Sequence, residues 1–211
     1  MTDKSKLTLS AEELQLISNT QWILTKRKII ESINFLFGNL AGAMQGQILA
    51  KEKLLPFKVV QSTAKIAKGE NYLQLPYLIL DYPRCFDKEN VFAIRTMFWW
   101  GNFFSCTLHL SGSYKKMFEQ AVQKNIAAEK NNFYICCNKD EWQHHFKADN
   151  YLPVNTLTTT AIQHIIIEQP FIKVAAKFSL QQCNEIEMLL EKVFADLLCL
   201  LILKPGNSPG F

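Results

Sequence analysis

The sequence lacks the short motifs by which several large enzyme families are recognised. Its 211 residues contain no GxGxxG, no Walker phosphate loop, no GxSxG and no HExxH. These absences argue against Rossmann-type dehydrogenases, P-loop NTPases, α/β-hydrolases and zincin metalloproteases. An enzyme whose catalytic groups are scattered along the chain stays open, because such a site needs no local motif.

Cysteine pairs and long apolar runs are also missing. The six cysteines are dispersed without a CxxC pair, and most of them lie in apolar runs. The N-terminal residues carry no apolar signal core. The longest apolar run, 197–203, is far shorter than the ~20 residues that cross a bilayer. We therefore expect reduced thiols, a cytoplasmic location and no membrane span.

A strong excess of one charge is absent as well. The 23 basic and 19 acidic residues give a net charge of +4, and the basic clusters are short. This pattern argues against nucleic acid as a partner. Arginine is scarce, since only Arg27, Arg84 and Arg95 occur. An arginine in such a chain suggests a use of the planar guanidinium group, and Arg95 is the best case. Its alternatives are a structural ion pair or a stem that extends to water, and a clamp for a ligand.

The residues that could bind a metal follow no known ligand spacing. The possible ligands are His144, His145, His164, Cys136, Cys137 and Asp149. The adjacent His144 and His145 would point in different directions in a helix or a strand. We therefore expect neither a metal nor another cofactor.

The apolar periodicity predicts an α+β fold, with a mainly antiparallel meander sheet packed against N-terminal, middle and C-terminal helices in two layers. A capping box at Ser10 and Glu13 begins one or two helices over 11–50, with a break near Asn19. We expect a single domain over 1–204 and a flexible tail over 205–211.

Two hairpins form the predicted meander. The first covers 58–80 with a turn at 69–70, which pairs Ile66 with Leu73, and loop 81–90 leads into the second hairpin. The remaining predicted elements are a helix after 113, a short strand over 133–137 and a last helix capped by Ser179 with Gln182. A half-buried strand is predicted over 171–178, with Lys173 and Lys177 on its exposed side.

The second hairpin, 91–110, determines which side chains share a face. A two-residue turn at Gly101-Asn102 would pair Trp100 with Phe103 and so determine the register. The predicted pairs on one mixed aromatic and polar face are Thr96 with Thr107, Phe98 with Ser105 and Ile94 with His109. The opposite face is apolar except for Arg95, so we assign it to the core.

The candidate ligand-binding residues lie in this hairpin and in the loop before it. They are Arg95, Arg84, Asp81, Tyr82, Thr96, Trp100, Thr107 and His109. Arg95 with Asp81 or Arg84 would bind an anion at a sheet end. On the other face, His109 would act in polar recognition or acid–base chemistry with Thr107, Thr96 and Trp100. In the predicted register Arg95 and His109 lie on opposite faces, so they would not serve one pocket as a pair.

The large aromatic and apolar content, without a concentrated polar cluster, favours a non-enzymatic ligand-binding or protein-interaction domain that uses the aromatic sheet face. The expected partners are a small-molecule ligand or a second copy of the chain. The alternative is a small enzyme with a pocket between loop 81–90 and the hairpin 91–110.

Overall fold

The computed structural model describes residues 7–128 and 133–203, and these contain one seven-stranded sheet. Its strands are β1 (Lys65–Tyr72), β2 (Leu75–Phe86), β3 (Val91–Trp99), β4 (Phe103–Ser111), β5 (Tyr134–Cys136), β6 (Tyr151–Pro153) and β7 (Phe171–Ser179). The spatial order is β1-β2-β3-β4-β7-β5-β6, and every neighbouring pair is antiparallel. Strands β1 to β4 form the predicted meander.

Six α-helices occur in the same described residues. They are α1 (Ala11–Ser18), α2 (Thr20–Leu49), α3 (Phe57–Val60), α4 (Gly112–Ala128), α5 (Thr159–Glu168) and α6 (Ile186–Cys199). Side chains of α2 to α6 join one sheet face, which we call the helical face, in a single apolar core. The predicted α+β fold in two layers is therefore confirmed. No helix in the described part of the chain combines the length and apolar character needed to cross a membrane.

The predicted helix boundaries are confirmed near the N-terminus of the chain, whereas the predicted start of the last helix is not. The capping box at Ser10 is present, and Asn19 separates α1 from α2 as predicted. The second predicted box, at Ser179 and Gln182, begins a short 3₁₀ turn, and α6 starts only at Ile186. The predicted tail over 205–211 lies outside the described residues.

The predicted register of the β3–β4 hairpin is wrong by one residue. Trp99, and not Trp100, pairs with Phe103, so the loop has three residues. The Asn102 N–H donates to the Trp99 carbonyl at 3.1 Å. Gly101 lies between them with φ of +69°, a conformation that glycine adopts without steric cost.

This one-residue difference reverses the predicted faces of β3 relative to β4, because successive side chains of a strand point to opposite sides. Arg95 pairs with Thr107, and Ala93 pairs with His109. Thr107 and His109 therefore lie on the same face of the sheet as Arg95. The helical face receives Phe104, Cys106, Leu108 and Leu110 of β4, as predicted. From β3 it receives Phe92, Ile94, Thr96 and Phe98 in place of the predicted set that contains Arg95.

The first hairpin and the loop after it also differ from the prediction. Its turn lies at 73–74, and Ile66 pairs with Leu80 instead of Leu73. Strand β2 continues through more than half of the predicted loop 81–90, to Phe86. The β2–β3 register shifts between Asp81 and Arg84. A bulge there accommodates a proline, which has no N–H for the ladder.

The sheet face opposite the helices, called here the second face, is covered by residues 137–150, the covering segment. This segment joins β5 to β6, and its ends meet where Cys136 pairs with Tyr151. Lys173 of β7 was expected on the exposed side of a half-buried strand. Its side chain contacts the covering segment instead, and the residue is only 1% exposed.

Candidate functional site

Four of the eight candidate residues come together on the second face, beneath the covering segment. They are Asp81 of β2, Arg95 of β3, and Thr107 and His109 of β4. All four are buried or partly buried. The objection that Arg95 and His109 lie on opposite faces therefore disappears with the corrected register.

Arg95 forms a two-pronged ion pair with Asp81. Its Nε lies 2.7 Å from Oδ1, and its Nη2 lies 2.8 Å from Oδ2. Its Nη1 lies 3.1 Å from Nε2 of His144 in the covering segment. Burial, with Lys173 nearby, holds the pKa of His144 well below its usual value. The neutral His144 ring therefore accepts a hydrogen bond from the guanidinium.

His109 contacts the covering segment through a carboxylate. Its Nε2 lies 2.7 Å from Oε2 of Glu141. Burial, followed by the charges of Lys173 and Arg95, lowers the pKa of His109 to about 3. The imidazole is therefore neutral near pH 7, and its Nε2–H donates to the Glu141 carboxylate. Burial raises the pKa of Glu141 itself.

Lys173 lies at the centre of this cluster. Its ammonium donates to the backbone carbonyls of Glu141 at 2.8 Å and Gln143 at 2.6 Å. The same Nζ lies 5.5 Å from the ring centroid of Tyr151. Burial lowers the pKa of Lys173 to about 8. Buried titratable groups with shifted pKa values, gathered against one loop, are typical of functional sites.

The covering segment is attached to the sheet by side chains. In the described residues its backbone–backbone hydrogen bonds stay within 137–150 or reach the adjacent Tyr151. The Tyr72 hydroxyl on the edge strand accepts from the backbone N–H groups of His144 and His145, at 2.7 and 3.0 Å. A loop of 14 residues with closed ends and no ladder to its neighbours opens at lower cost than a strand does.

The cavity at the cluster is nearly closed. It is lined by Phe86, Ala93, Arg95, Thr107, His109, Trp142, His144 and Lys173. The remaining space has a volume of about 10 Å³, which is room for about one water molecule. Trp142 packs edge-to-face on His109, with ring centroids 5.4 Å apart. A larger ligand therefore requires movement of the covering segment or of its side chains.

The other candidate residues do not join the cluster. Tyr82 and Thr96 face the helical core, and Thr96 donates to the Cys106 thiol at 3.8 Å. Trp100 lies in the hairpin loop and packs on Phe98 of the helical face. Arg84 is exposed at the strand end, 5.7 Å from the ring centroid of Phe86.

The sequence reasoning missed half of the cluster, since Lys173, Glu141, Trp142 and His144 were not among the candidate ligand-binding residues. His144 was considered only as a possible metal ligand. A signal was present in the run 142–146, Trp-Gln-His-His-Phe, which is rich in aromatic and imidazole rings for a surface loop. Within the described residues, no group of three or more His, Cys, Asp or Glu side chains is arranged to hold a metal ion.

Comparison of the chain with protein-family models, with curated proteins and with solved structures finds no match. The functional interpretation therefore depends on the geometry of this cluster.

Proposed function

We propose that this chain binds a small organic carboxylate on the second face of its sheet, beneath the covering segment. The observation that carries the proposal is the contact of His109 with the Glu141 carboxylate at 2.7 Å, beside the buried ammonium of Lys173. In this interpretation, Glu141 occupies the position of a ligand carboxylate. Outward rotation of its side chain, which is 29% exposed, would vacate that position.

The surroundings favour a ligand with an apolar or aromatic body. Trp142 and Phe171 both pack edge-to-face on the His109 ring. Phe86 lies beside Trp142, with ring centroids 6.3 Å apart. A few polar groups among aromatic side chains are typical of small-molecule pockets. Arg95 would hold the site in place, because its guanidinium is already paired with Asp81.

The test is to remove the side chain that we place in the ligand's position. We expect Glu141→Ala to bind benzoate at least about tenfold more tightly than the wild-type chain, because a competing carboxylate has been removed. Isothermal titration measures both affinities, with acetate as the probe that lacks an aromatic body. Glu168→Ala removes an exposed carboxylate elsewhere and serves as the matched control. Absence of benzoate binding by Glu141→Ala at about 10 mM would refute the proposal.

A second candidate function is catalysis at the same cluster, as in the alternative drawn from the sequence. The observation that favours it is the pKa of about 8 for Lys173, which leaves part of this amine unprotonated near neutral pH. Such an amine attacks a carbonyl carbon, and loss of water then gives an imine. Treatment with pyruvate and borohydride would reduce that imine and add mass at Lys173. An unmodified Lys173 would reject this second candidate.

A further inference from the structure

The N-terminal arm, defined as residues 11–35, has no fully buried side chain, although the partly buried Ile30 and Ile33 at its C-terminal end pack against the apolar core. Helix α1 has no buried residue, and the buried residues of α2 begin only at Phe37. Eight large apolar side chains of the arm are exposed, and they are Leu14, Leu16, Ile17, Trp22, Ile23, Leu24, Ile29 and Phe35. An exposed apolar surface of this extent is typical of an interaction site.

The apolar stripe of α2 continues from the body into the arm. Its members recur seven residues apart, and they are Ile23, Ile30, Phe37 and Met44, with Ile33 and Leu40 forming a parallel row. Phe37 and Met44 are buried against the body, whereas Ile23 is 46% exposed. A seven-residue apolar repeat is the seam of a helix that packs against another helix. In the part of the chain that the structure describes, this stripe is left exposed at Ile23.

The length of the arm also indicates a partner. An eight-residue helix such as α1 is marginal in water when nothing packs on it. A stable protein interface uses about 20–30 residues on each side. The arm has 25 residues, and its eight exposed large apolar side chains would supply the apolar centre of one such side.

The charges of the arm fit a copy of the same arm. Acidic Glu12 and Glu13 lie in α1, and the basic run 26–28 lies in the first turns of α2. With Glu31 included, the arm has three acidic and three basic residues. This balance does not favour the basic surface that an anionic membrane attracts. It makes the arm complementary to itself when two copies run in opposite directions.

We propose that the N-terminal arm packs against the same arm of a second copy of this chain, in an antiparallel, two-fold symmetric helical interface. The interface is centred near Thr20, where the exposed Ile23 of one copy faces the exposed Ile17 of the other. The acidic α1 of one copy lies against the basic run 26–28 of the other. This interface is independent of the carboxylate site on the second face.

The first experiment removes the apolar centre of the interface. Sedimentation equilibrium of the full chain should give twice 24.3 kDa, and Ile23→Glu should raise the dimer dissociation constant by about a hundredfold or more, because symmetry places the charge in the seam twice. Met117→Glu is the matched control, since Met117 is 59% exposed on α4 outside the arm. Circular dichroism checks that both variants fold.

The second experiment identifies the occupant by charge reversal. Glu12→Lys and Lys28→Glu leave the capping box and the Arg27–Glu31 pair intact. We expect each alone to weaken the dimer about threefold to tenfold at low salt, and the double variant to restore it. A double variant that stays weak would overturn the antiparallel pairing.

Two further outcomes would overturn the proposal as a whole. One is a wild-type chain that stays monomeric at about 100 µM, well above the range in which an interface of standard size assembles. The other is a monomeric chain that binds phosphatidylserine vesicles through the arm, which would assign the arm to a lipid surface. An Ile23→Glu variant that dimerises as well as the wild type would equally exclude the arm.

Discussion

The two faces of one sheet have opposite chemistry, although the same strands form both. On the helical face, the alternate residues of β3, β4 and β7 join the helices in one apolar core. On the second face, the residues between them include Arg95, His109 and Lys173, and a loop covers them. The comparison teaches that a period of two allows a strand to supply stability on one side and titratable groups on the other.

The two faces also differ in how strongly their contacts depend on geometry. On the helical face, the stabilising free energy of apolar burial is roughly proportional to the buried area, and it does not require a precise direction of contact. A charge buried on the second face costs free energy unless a partner lies within hydrogen-bond distance. Asp81 is such a partner for Arg95, at 2.7 and 2.8 Å. We therefore expect the same kind of truncation to act differently on the two faces.

The largest expected effect is on the helical face. Phe104 is fully buried there, and Phe104→Ala should lower the free energy of unfolding by about 3–5 kcal/mol, because the cavity left behind is lined by the core. Urea denaturation measures the change. The neighbouring Phe103 lies on the second face at the start of β4 and is itself partly exposed, so Phe103→Ala should cost clearly less. Equal costs for the two variants would contradict the assignment of the faces.

The next effect comes from breaking the ion pair on the second face. Asp81→Ala leaves the Arg95 guanidinium without its carboxylate, and we expect a loss of about 2–3 kcal/mol in unfolding free energy. The double variant Asp81→Leu with Arg95→Met should recover most of that loss, because no unpaired charge remains. Chemical denaturation of the three proteins measures this recovery. A double variant as unstable as Asp81→Ala would show that the pair itself supplies the stability.

A pH-dependent effect distinguishes the faces more finely, because the histidines of the second face are buried without charge. As the pH falls below 6.5, an unfolded histidine takes up a proton, whereas the folded His109 stays neutral until about pH 3. The unfolding free energy that the neutral His109 contributes above pH 6.5 is therefore lost progressively as the pH falls towards 3.

The variant His109→Gln keeps an N–H donor for Glu141 and cannot titrate. Between pH 6.5 and 4 it should lose on the order of 3 kcal/mol less unfolding free energy than the wild type does. Urea titrations at several pH values measure both proteins, and His144 titrates in each of them, so its contribution cancels in the difference. Parallel pH profiles for the two proteins would argue against a buried neutral His109.

The fold class could be predicted from the sequence because its signals are local. The capping box at Ser10, the break at Asn19 and the strand alternation each depend on a few neighbouring residues, and the structure confirms them. The register of a hairpin depends on one residue of loop length, which composition does not determine. Because the loop is one residue longer than predicted, Thr96 lies in the core and Arg95 lies on the same face as His109.

The candidate site could be predicted only in half, for a different reason. The alternation of β7 correctly separated Lys173 from Ile172 and Val174. Whether the lysine side faces water depends on the covering segment, which begins 36 residues earlier at Cys137. No local sequence pattern predicts which face of the sheet such a loop will cover. Exposure of a polar strand face is therefore an assumption until the loops are placed.

The smallest effect tests the loop that determines the two faces. Gly101 has φ of +69°, and a Cβ added there would meet no atom within 4 Å, so Gly101→Ala should cost only the backbone strain of about 1 kcal/mol. Gly42→Ala is the matched control, because Gly42 lies in α2 with equally open space, and alanine should stabilise that helix by up to about 1 kcal/mol. Thermal unfolding measures whether the stability falls in the Gly101→Ala variant and rises in the Gly42→Ala variant. A neutral Gly101→Ala would mean that the loop does not need the positive φ. The three-residue loop, and with it the placement of Arg95 and His109 on one face, would then lose its physical reason.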